Sequence, residues 1–246
     1  MIRLTLAAAL ALGVALPAPA LDLGAMSPEE KAAFGAAVRA YLIENPEVLM
    51  EAIGVLEQRE ARAQAEADVA ALRAARAELL ESPASWSGGN PQGDITVVEF
   101  VDYRCGYCRR AFDEVQELVA TDGNLRIVVK EFPILGEASV ISSRFAIAVL
   151  QTAGGDAYKA VHDALMRLAG PPTPQALRAI AAAAGADADE VLARMDAPEV
   201  TAVIEANRRL AERLSINGTP TYVVHETMVR GYVRLDGMRS IVAGQR

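Results

Sequence analysis

The chain has 246 residues, of which 52% are hydrophobic and 23% are charged, a balance that excludes a wholly disordered protein. Its formal net charge of -8 has the wrong sign for a protein held mainly by nucleic-acid phosphates, so we expect no nucleic-acid partner. The two cysteines are Cys105 and Cys108, which excludes a multi-bridge scaffold or a zinc ribbon with paired Cys-x-x-Cys sites. Any thiol chemistry is therefore confined to the segment from Cys105 to Cys108.

Residues 1–20 have the pattern of a secretory signal peptide. Arg3 precedes a short apolar run that reaches Leu16, and Ala-Pro-Ala then provides a small-residue cleavage site. A membrane anchor is the alternative, but it requires about twenty apolar residues and this run is shorter. We therefore predict export with cleavage after Ala20, into a compartment where disulfides persist.

Two helices are predicted within residues 21–82. Ser27 is placed to cap the first helix, and Glu30 completes a capping box. A second helix follows Pro46 and is expected to continue to about Glu81, because the stretch is rich in strong helix formers. We interpret this region as a homo-oligomerisation module, a dimer or a trimer, with a solvated connecting helix as the alternative.

Residues 83–93 are rich in Ser, Gly, Asn and Pro and predict a linker, with Trp86 as a docking residue. A further domain is predicted over 94–246. Its expected elements are strands at 95–101 and 125–130, a helix from Cys105 to about 121, a helical block over about 137–214, strands at 221–224 and 227–233, and a helix at 235–242. This order predicts an α/β thioredoxin-like fold with a helical insertion, preceded by an α-helical N-terminal extension.

The segment Cys105-Gly106-Tyr107-Cys108 lies where a predicted strand ends and a helix begins. Amide groups and the dipole at a helix N-terminus favour a thiolate, so Cys105 is the candidate nucleophile. Cys108 lies one turn further along and is placed to resolve a mixed disulfide. A permanent structural disulfide and a Cu(I) site made by the two thiolates are the alternatives.

Glu99 interrupts an apolar strand six residues before Cys105. We expect its side chain to point inward beneath the cysteine pair, where burial raises the pKa of a carboxyl group. Such a carboxylate could accept the proton of Cys108 during resolution, whereas exposure at a strand edge is the alternative. Lys130, which ends the second predicted strand, is a candidate partner for Glu99.

The residues around the cysteines suggest a substrate surface. Tyr103 and Tyr107 are candidates for an apolar collar that binds peptide substrates, although aromatic residues at such positions also serve in packing. Gly106 and Thr219 are further candidate substrate-binding residues. Thr219 and Pro220 precede the final hairpin, where a cis proline would turn the Thr219 backbone toward a neighbouring site. No chemistry is assigned to the two histidines, His162 and His225.

Three motifs occur in order: VEFVDYRCGYC at 98–108, KEFPILG at 130–136 and GTP at 218–220. Together they resemble the DsbA-like thiol-disulfide oxidoreductases, specifically the ScsC/Com1-like branch, which has an N-terminal helical extension. The resemblance implies that Cys105 is the attacking thiol and Cys108 the resolving thiol. It also implies that Thr219-Pro220 forms a cis-proline loop beside them, and that Glu99 is the buried acid.

The resemblance further implies a periplasmic protein disulfide isomerase that assembles through its N-terminal helices. Its partners would be disulfide-containing exported proteins and a membrane-embedded DsbD/ScsB-like reductase, and relatives are linked to copper tolerance. It implies no cofactor beyond the redox-active pair Cys105–Cys108. The Gly-Tyr dipeptide lacks the imidazole of strongly oxidising members. A monomeric dithiol oxidase and a Cu(I)-binding or holdase protein remain as competing hypotheses.

Overall fold

The computed structural model describes residues 26–246, so the predicted signal peptide lies outside the described residues. In chain order the elements are α1 (Pro28–Glu44), α2 (Glu47–Ala74), α3 (Arg76–Leu80), β1 (Trp86–Gly89), β2 (Ile95–Val101), α4 (Gly106–Asp122), β3 (Leu125–Glu131), α5 (Glu137–Arg167), α6 (Pro174–Ala183), α7 (Ala188–Arg194), α8 (Pro198–Arg213), β4 (Thr221–Val224), β5 (Thr227–Arg230) and α9 (Leu235–Ala243). Between residues 26 and 246, none of the helices combines the length and the apolar character needed to cross a bilayer.

Contacts divide the chain into two units, with the boundary between Arg59 and Glu60. In the first unit, the predicted capping box is present: the Ser27 hydroxyl accepts from the Glu30 amide, and the Glu30 carboxylate accepts from the Ser27 amide. Helix α1 buries none of its residues. The large apolar side chains exposed on α1 and on the first part of α2 are Phe34, Val38, Tyr41, Ile43, Leu49, Met50, Ile53, Val55 and Leu56. A concentration of exposed apolar residues is typical of an interaction surface.

The second predicted helix ends earlier than expected. Helix α2 stops at Ala74, and the separate helix α3 ends at Leu80. Leu72 and Leu79 are buried against the sheet, and Asp68 forms a bidentate ion pair with Arg230 of β5 at 2.7 and 2.8 Å. Residues 60–80 are therefore packed into the second unit and do not belong to an independent extension.

Residues 83–93 contain a strand that the linker prediction missed. Strand β1 pairs antiparallel with β3, with Trp86 opposite Val129. The Trp86 ring stacks on Tyr158 at 5.6 Å, and its indole nitrogen donates to the Gly155 carbonyl at 3.0 Å. The docking role of Trp86 is thus confirmed. The Ser-Gly-Gly sequence has low strand propensity, so pairing with β3 decides its conformation.

The described strands form one mixed sheet in the order β1-β3-β2-β4-β5. The central strands β2 and β3 are parallel, and β4 pairs antiparallel with β2. Both central strands are almost continuously apolar because helices cover both faces of the sheet. Strand β5 ends at Arg230 and does not reach Val233, because Gly231 turns the chain with a positive φ of 88°.

Helices cover both faces of the sheet, and the cysteine pair lies beyond the C-terminal end of β2. Helices α4 and α9 pack on one face through residues such as Leu118 and Met238. The end of α2, α3 and α8 cover the other face, where Leu79 and Leu214 are buried. Helices α5 to α8 form the predicted insertion between β3 and β4, and its core includes both cysteines. The fold is therefore the predicted thioredoxin-like fold with a helical insertion.

Candidate active site

Cys105 and Cys108 lie where β2 leads into α4, as predicted. Cys105 is the N-cap residue, with an extended backbone of φ -73° and ψ 119°, and the helix begins at Gly106. Cys105 is 6% exposed, whereas Cys108 is completely buried one turn further along. Both are free thiols in the structure. The first cysteine is therefore the one whose sulfur a partner can approach.

The two thiols differ strongly in acidity. Contact with the Cys108 thiol is the largest influence that lowers the pKa of Cys105, to about 5. The Thr219 side chain and the backbone amides of Tyr107 and Cys108 act in the same direction, while burial opposes them. The mutual contact, burial and the charge of Glu99 raise the pKa of Cys108 above its ordinary value. At neutral pH the pair consists of one thiolate and one thiol.

The loop before β4 lies against Cys105. The Thr219–Pro220 peptide bond is cis, as predicted. In its thiol form Cys105 donates a hydrogen bond to the Thr219 carbonyl at 3.1 Å. The Thr221 hydroxyl donates to the Gly218 carbonyl at 2.8 Å, which braces the loop where it enters the sheet. The first and third sequence motifs therefore meet at the cysteine sulfur.

Glu99 is buried in β2, paired with Val129 on one side and with Tyr222 on the other, so exposure at a strand edge is excluded. Burial raises the pKa of Glu99 to about 7; the Tyr222 hydroxyl opposes this rise and the charge of Glu131 adds to it. The Tyr222 interaction is weak, because that hydroxyl has no hydrogen bond of normal geometry to any residue in 26–246. Glu99 is thus a buried acid whose charge acts on Cys108.

Lys130 does not pair with Glu99. In the parallel register Lys130 lies opposite Phe100, so it projects to the other face of the sheet from Glu99. Its ammonium group donates to the Glu78 carbonyl at 2.6 Å and to the Ser85 hydroxyl at 2.9 Å. Burial lowers the pKa of Lys130 to about 8. The lysine therefore holds α3 and the segment after it against the sheet.

The predicted apolar collar is only partly present. Tyr103 is completely buried and cannot contact a substrate. Tyr107 is 60% exposed, and Gly106 beside it is also exposed. The Tyr107 ring stacks at 6.3 Å on the partly buried Tyr232, a residue that the sequence did not single out.

Asp102 joins the cysteine loop to the KEFPILG segment, a role that sequence reasoning missed. One carboxylate oxygen accepts from the Arg104 amide at 2.8 Å. The other accepts from the amides of Ile134 and Leu135 at 2.8 and 3.1 Å. A polar residue directly after an apolar strand was the available signal. The side chains of Ile134 and Leu135 are exposed on this loop.

A second buried acid, Glu131, also escaped the sequence reasoning. It ends β3 and accepts hydrogen bonds from Tyr103, Ser143 and Tyr158. His162 contacts Tyr103 in the same network, and burial lowers the pKa of this histidine to about 3, so it is neutral. Among the described residues, no group of three or more His, Cys, Asp or Glu side chains is arranged to hold a metal ion.

The family model described as "DSBA-like thioredoxin domain" matches residues 96–243, which is more than half of the chain. The chain belongs to the DsbA-like thiol-disulfide oxidoreductase family. A second family model, "Copper resistance protein ScsC N-terminal domain", matches residues 30–63. The resemblance drawn from the motifs is therefore confirmed for both parts of the chain.

Solved structures of similar proteins include a thioredoxin-like oxidoreductase from Silicibacter pomeroyi. It is 43% identical, covers 70% of this chain and 97% of its own, and has a TM-score of 0.65. BcfH from Salmonella enterica Typhimurium is 28% identical, with coverage of 87% and 95% and a TM-score of 0.73. A curated relative, the Na(+)/H(+) antiporter NhaA 1 of Salinispora arenicola, is 27% identical over 63% of this chain and 24% of its own length. The chain thus spans about a quarter of the curated relatives that it matches.

Proposed function

We propose that this DsbA-like protein is a periplasmic protein disulfide isomerase that acts through Cys105 and Cys108. The unequal cysteine pair carries the proposal: the pKa of the accessible Cys105 is lowered to about 5, while the pKa of the buried Cys108 is raised. The thiolate is the form of Cys105 that attacks disulfides in its clients. The Gly-Tyr dipeptide between the cysteines carries no imidazole, whereas the strongly oxidising members of the family do, and this favours an isomerase over a potent oxidase.

In the proposed reaction the Cys105 thiolate attacks one sulfur of a client disulfide. A mixed disulfide forms, and the other client sulfur leaves as a thiolate. That thiolate or another client thiol then attacks a different sulfur, and Cys105 is released when the client closes its correct disulfide. Alternatively, Cys108 loses its proton to Glu99 and attacks Cys105. The Cys105–Cys108 disulfide then forms, and the client sulfur leaves as a thiolate that takes up a proton.

Several observations support the remaining parts of the proposal. The exposed apolar side chains of α1 and the first part of α2 favour association of several copies through this unit. The match to the ScsC N-terminal domain lies in the same region. The exposed Tyr107 and the Thr219 carbonyl beside Cys105 offer contacts for an unfolded client segment. A membrane-embedded DsbD/ScsB-like reductase would return the Cys105–Cys108 disulfide to the dithiol.

The test is reactivation of scrambled, multi-disulfide ribonuclease by the reduced protein. We compare the wild type with Ile53→Asp, which places a charge on the exposed apolar surface, and with the matched control Gln58→Asp on the same helix. Light scattering of each protein at micromolar concentration reports its oligomeric state. We expect reactivation and an oligomer for the wild type and the control, and loss of both in Ile53→Asp.

Other outcomes separate the competing functions. Rapid oxidation of reduced substrate thiols by a monomer, without reactivation, would identify a dithiol oxidase. Stoichiometric Cu(I) binding without turnover of any disulfide would identify the copper-binding alternative. Cys105→Ser should abolish activity, and activity retained in that variant would refute the proposed mechanism.

A further inference from the structure

Glu131 is a buried carboxylate that, among the residues the structure describes, is held only by neutral hydrogen-bond donors. The hydroxyls of Tyr103 and Tyr158 both donate to Oε1, at 2.7 and 2.6 Å, and the Ser143 hydroxyl donates to Oε2 at 2.7 Å. The Asn207 amide donates to its backbone carbonyl at 3.0 Å. Burying a carboxylate without a cation is unfavourable, even when the oxygens are hydrogen-bonded. The fold therefore keeps an acid at a position where an apolar residue would be less costly.

The hydrogen bonds connect Glu131 to the segment that enters the cysteine pair. Tyr103 lies two residues before Cys105, and its only hydroxyl proton is given to Glu131. The Tyr103 oxygen also lies 3.0 Å from Nδ1 of His162. While Glu131 is ionised, this histidine nitrogen must therefore carry the donated hydrogen. Glu131, Tyr103 and His162 thus form a hydrogen-bonded chain, and its middle member, Tyr103, lies in the active-site loop.

Glu131 and Glu99 also lie on the same face of the sheet. Glu131 is paired with Val101 in the parallel register, two positions along from Glu99. Strand spacing puts the two residues about 8 Å apart. At this distance, with an effective dielectric constant of about 20, the interaction is about 2 kcal/mol, so one unit charge shifts a neighbouring pKa by about 1.5 units. The two carboxyl groups are therefore coupled.

The remaining charged and titratable groups around Glu131 do not neutralise it. Burial raises the pKa of Glu131 to about 7, while hydrogen bonds from Tyr158, Ser143 and Tyr103 oppose that rise and the charge of Asp102, from the cysteine loop, adds to it. From α5, His162 is neutral, and Lys159 is engaged by Asp163 at 2.6 Å. Lys130 projects to the opposite face. The one charge that acts on the pKa of Glu131 within the described part of the chain, that of Asp102, is thus of the same sign.

We propose that Glu131 is a positioning residue for thiol-disulfide exchange: it holds Tyr103 before Cys105, and its charge makes Glu99 a stronger proton acceptor for Cys108. This rests on the exchange chemistry proposed above. In the resolving step the Cys108 proton passes to Glu99, the Cys108 thiolate attacks the Cys105 sulfur, and the partner sulfur leaves with the electron pair. Without the charge of Glu131, Glu99 becomes a weaker base and the step slows.

Glu131→Gln tests this with little loss of shape. The amide oxygen can accept from Tyr103 and Tyr158, and the amide nitrogen can donate to the Ser143 hydroxyl, which can also act as an acceptor. The probe is the mixed disulfide between Cys105 and thionitrobenzoate, whose coloured thiolate is released when Cys108 attacks. Its release is followed in single turnovers across the pH range. Glu212→Gln is the matched control, because Glu212 is exposed on the surface of the molecule.

For Glu131→Gln we expect the midpoint of the pH–rate profile to fall by about 1.5 units, with a several-fold lower plateau rate. The titration of the Cys105 thiolate should stay unchanged. Tyr158→Phe removes one hydrogen-bond donor to Glu131, which raises the pKa of Glu131 and leaves a smaller fraction of it ionised. The midpoint should therefore shift in the same direction, but by less than in Glu131→Gln. Fluorescence of the single tryptophan, Trp86, which stacks on Tyr158, checks that Glu131→Gln is folded.

A profile of Glu131→Gln that matches the wild type, or a rate that falls equally at every pH, would overturn the proposal. If Glu131→Gln does not fold, an unshifted pH–rate profile in Tyr158→Phe would likewise overturn the proposal. Failure of the wild type to release thionitrobenzoate at any pH would instead refute the underlying exchange function.

Discussion

Replacing Glu99 with Gln should make the stability of the reduced protein less dependent on pH. Burial raises the pKa of Glu99 from its ordinary 4.5 to about 7 in the folded chain. The folded state therefore binds this proton more tightly than the unfolded state does. Its contribution to stability is complete below pH 4.5 and is lost as the pH rises to about 7. Glutamine cannot ionise, so the variant does not lose this contribution.

The magnitude follows from the two pKa values. A difference between 4.5 and about 7, at 1.36 kcal/mol per pH unit, corresponds to about 3 kcal/mol. We therefore expect the unfolding free energy of Glu99→Gln, relative to the wild type, to rise by about 3 kcal/mol between about pH 4 and about pH 8. The ionisation of Cys105 also changes stability with pH, but it is present in both proteins and largely cancels.

Urea unfolding followed by circular dichroism, with a reductant present, measures this difference at each pH. Glu212→Gln serves as the control because it removes an equal charge from an exposed position. The control should follow the wild type throughout. A constant difference between Glu99→Gln and the wild type across the pH range would show that Glu99 does not titrate as a buried acid, and would refute the reasoning.

Two further predictions concern Cys105 and the ion pair between α2 and β5. Ultraviolet absorbance of the thiolate should titrate with a midpoint near pH 5 in the reduced wild type and be absent in Cys105→Ser; a midpoint near the ordinary thiol value of about 8.5 would contradict the site geometry. Asp68→Asn should lower the unfolding free energy by about 1–2 kcal/mol in urea, because the partly exposed Arg230 loses its bidentate, buried carboxylate partner. Unchanged stability would mean that the ion pair does not hold this part of α2.

The elements around the cysteines were predictable because their signals are local. The apolar runs of β2 and β3 predict strands wherever the rest of the chain lies, and the positions of the cysteines relative to β2 predict the start of α4. Within the predicted helical block, Gly154 interrupts α5 with a φ of 84°, a conformation that glycine adopts readily. The cis bond before Pro220 was also predicted from its place before a strand.

The errors share a different cause. Strand β1 forms because it pairs with the edge of β3, and the Ser-Gly-Gly sequence by itself does not predict a strand. The side to which Lys130 projects depends on the register of β3 against β2, which a run of apolar letters does not contain. The burial of Tyr103 cannot be predicted from local sequence, because its hydroxyl partner, Glu131, lies 28 positions away. Each of these features depends on a contact between residues that are distant in the sequence, so local patterns could not predict it.

The sequence by itself determined the chemistry available to this protein: one pair of thiols at the start of a helix, a carboxyl group in the preceding strand and a proline loop before the last hairpin. Short-range patterns suffice for this, because strand alternation and helix capping depend on neighbouring residues. Tertiary structure decided which of these groups are buried, and therefore their acidity. Desolvation and charge coupling act through space, so the raised pKa values of Glu99, Glu131 and Cys108 arise only when the sheet and helices have assembled.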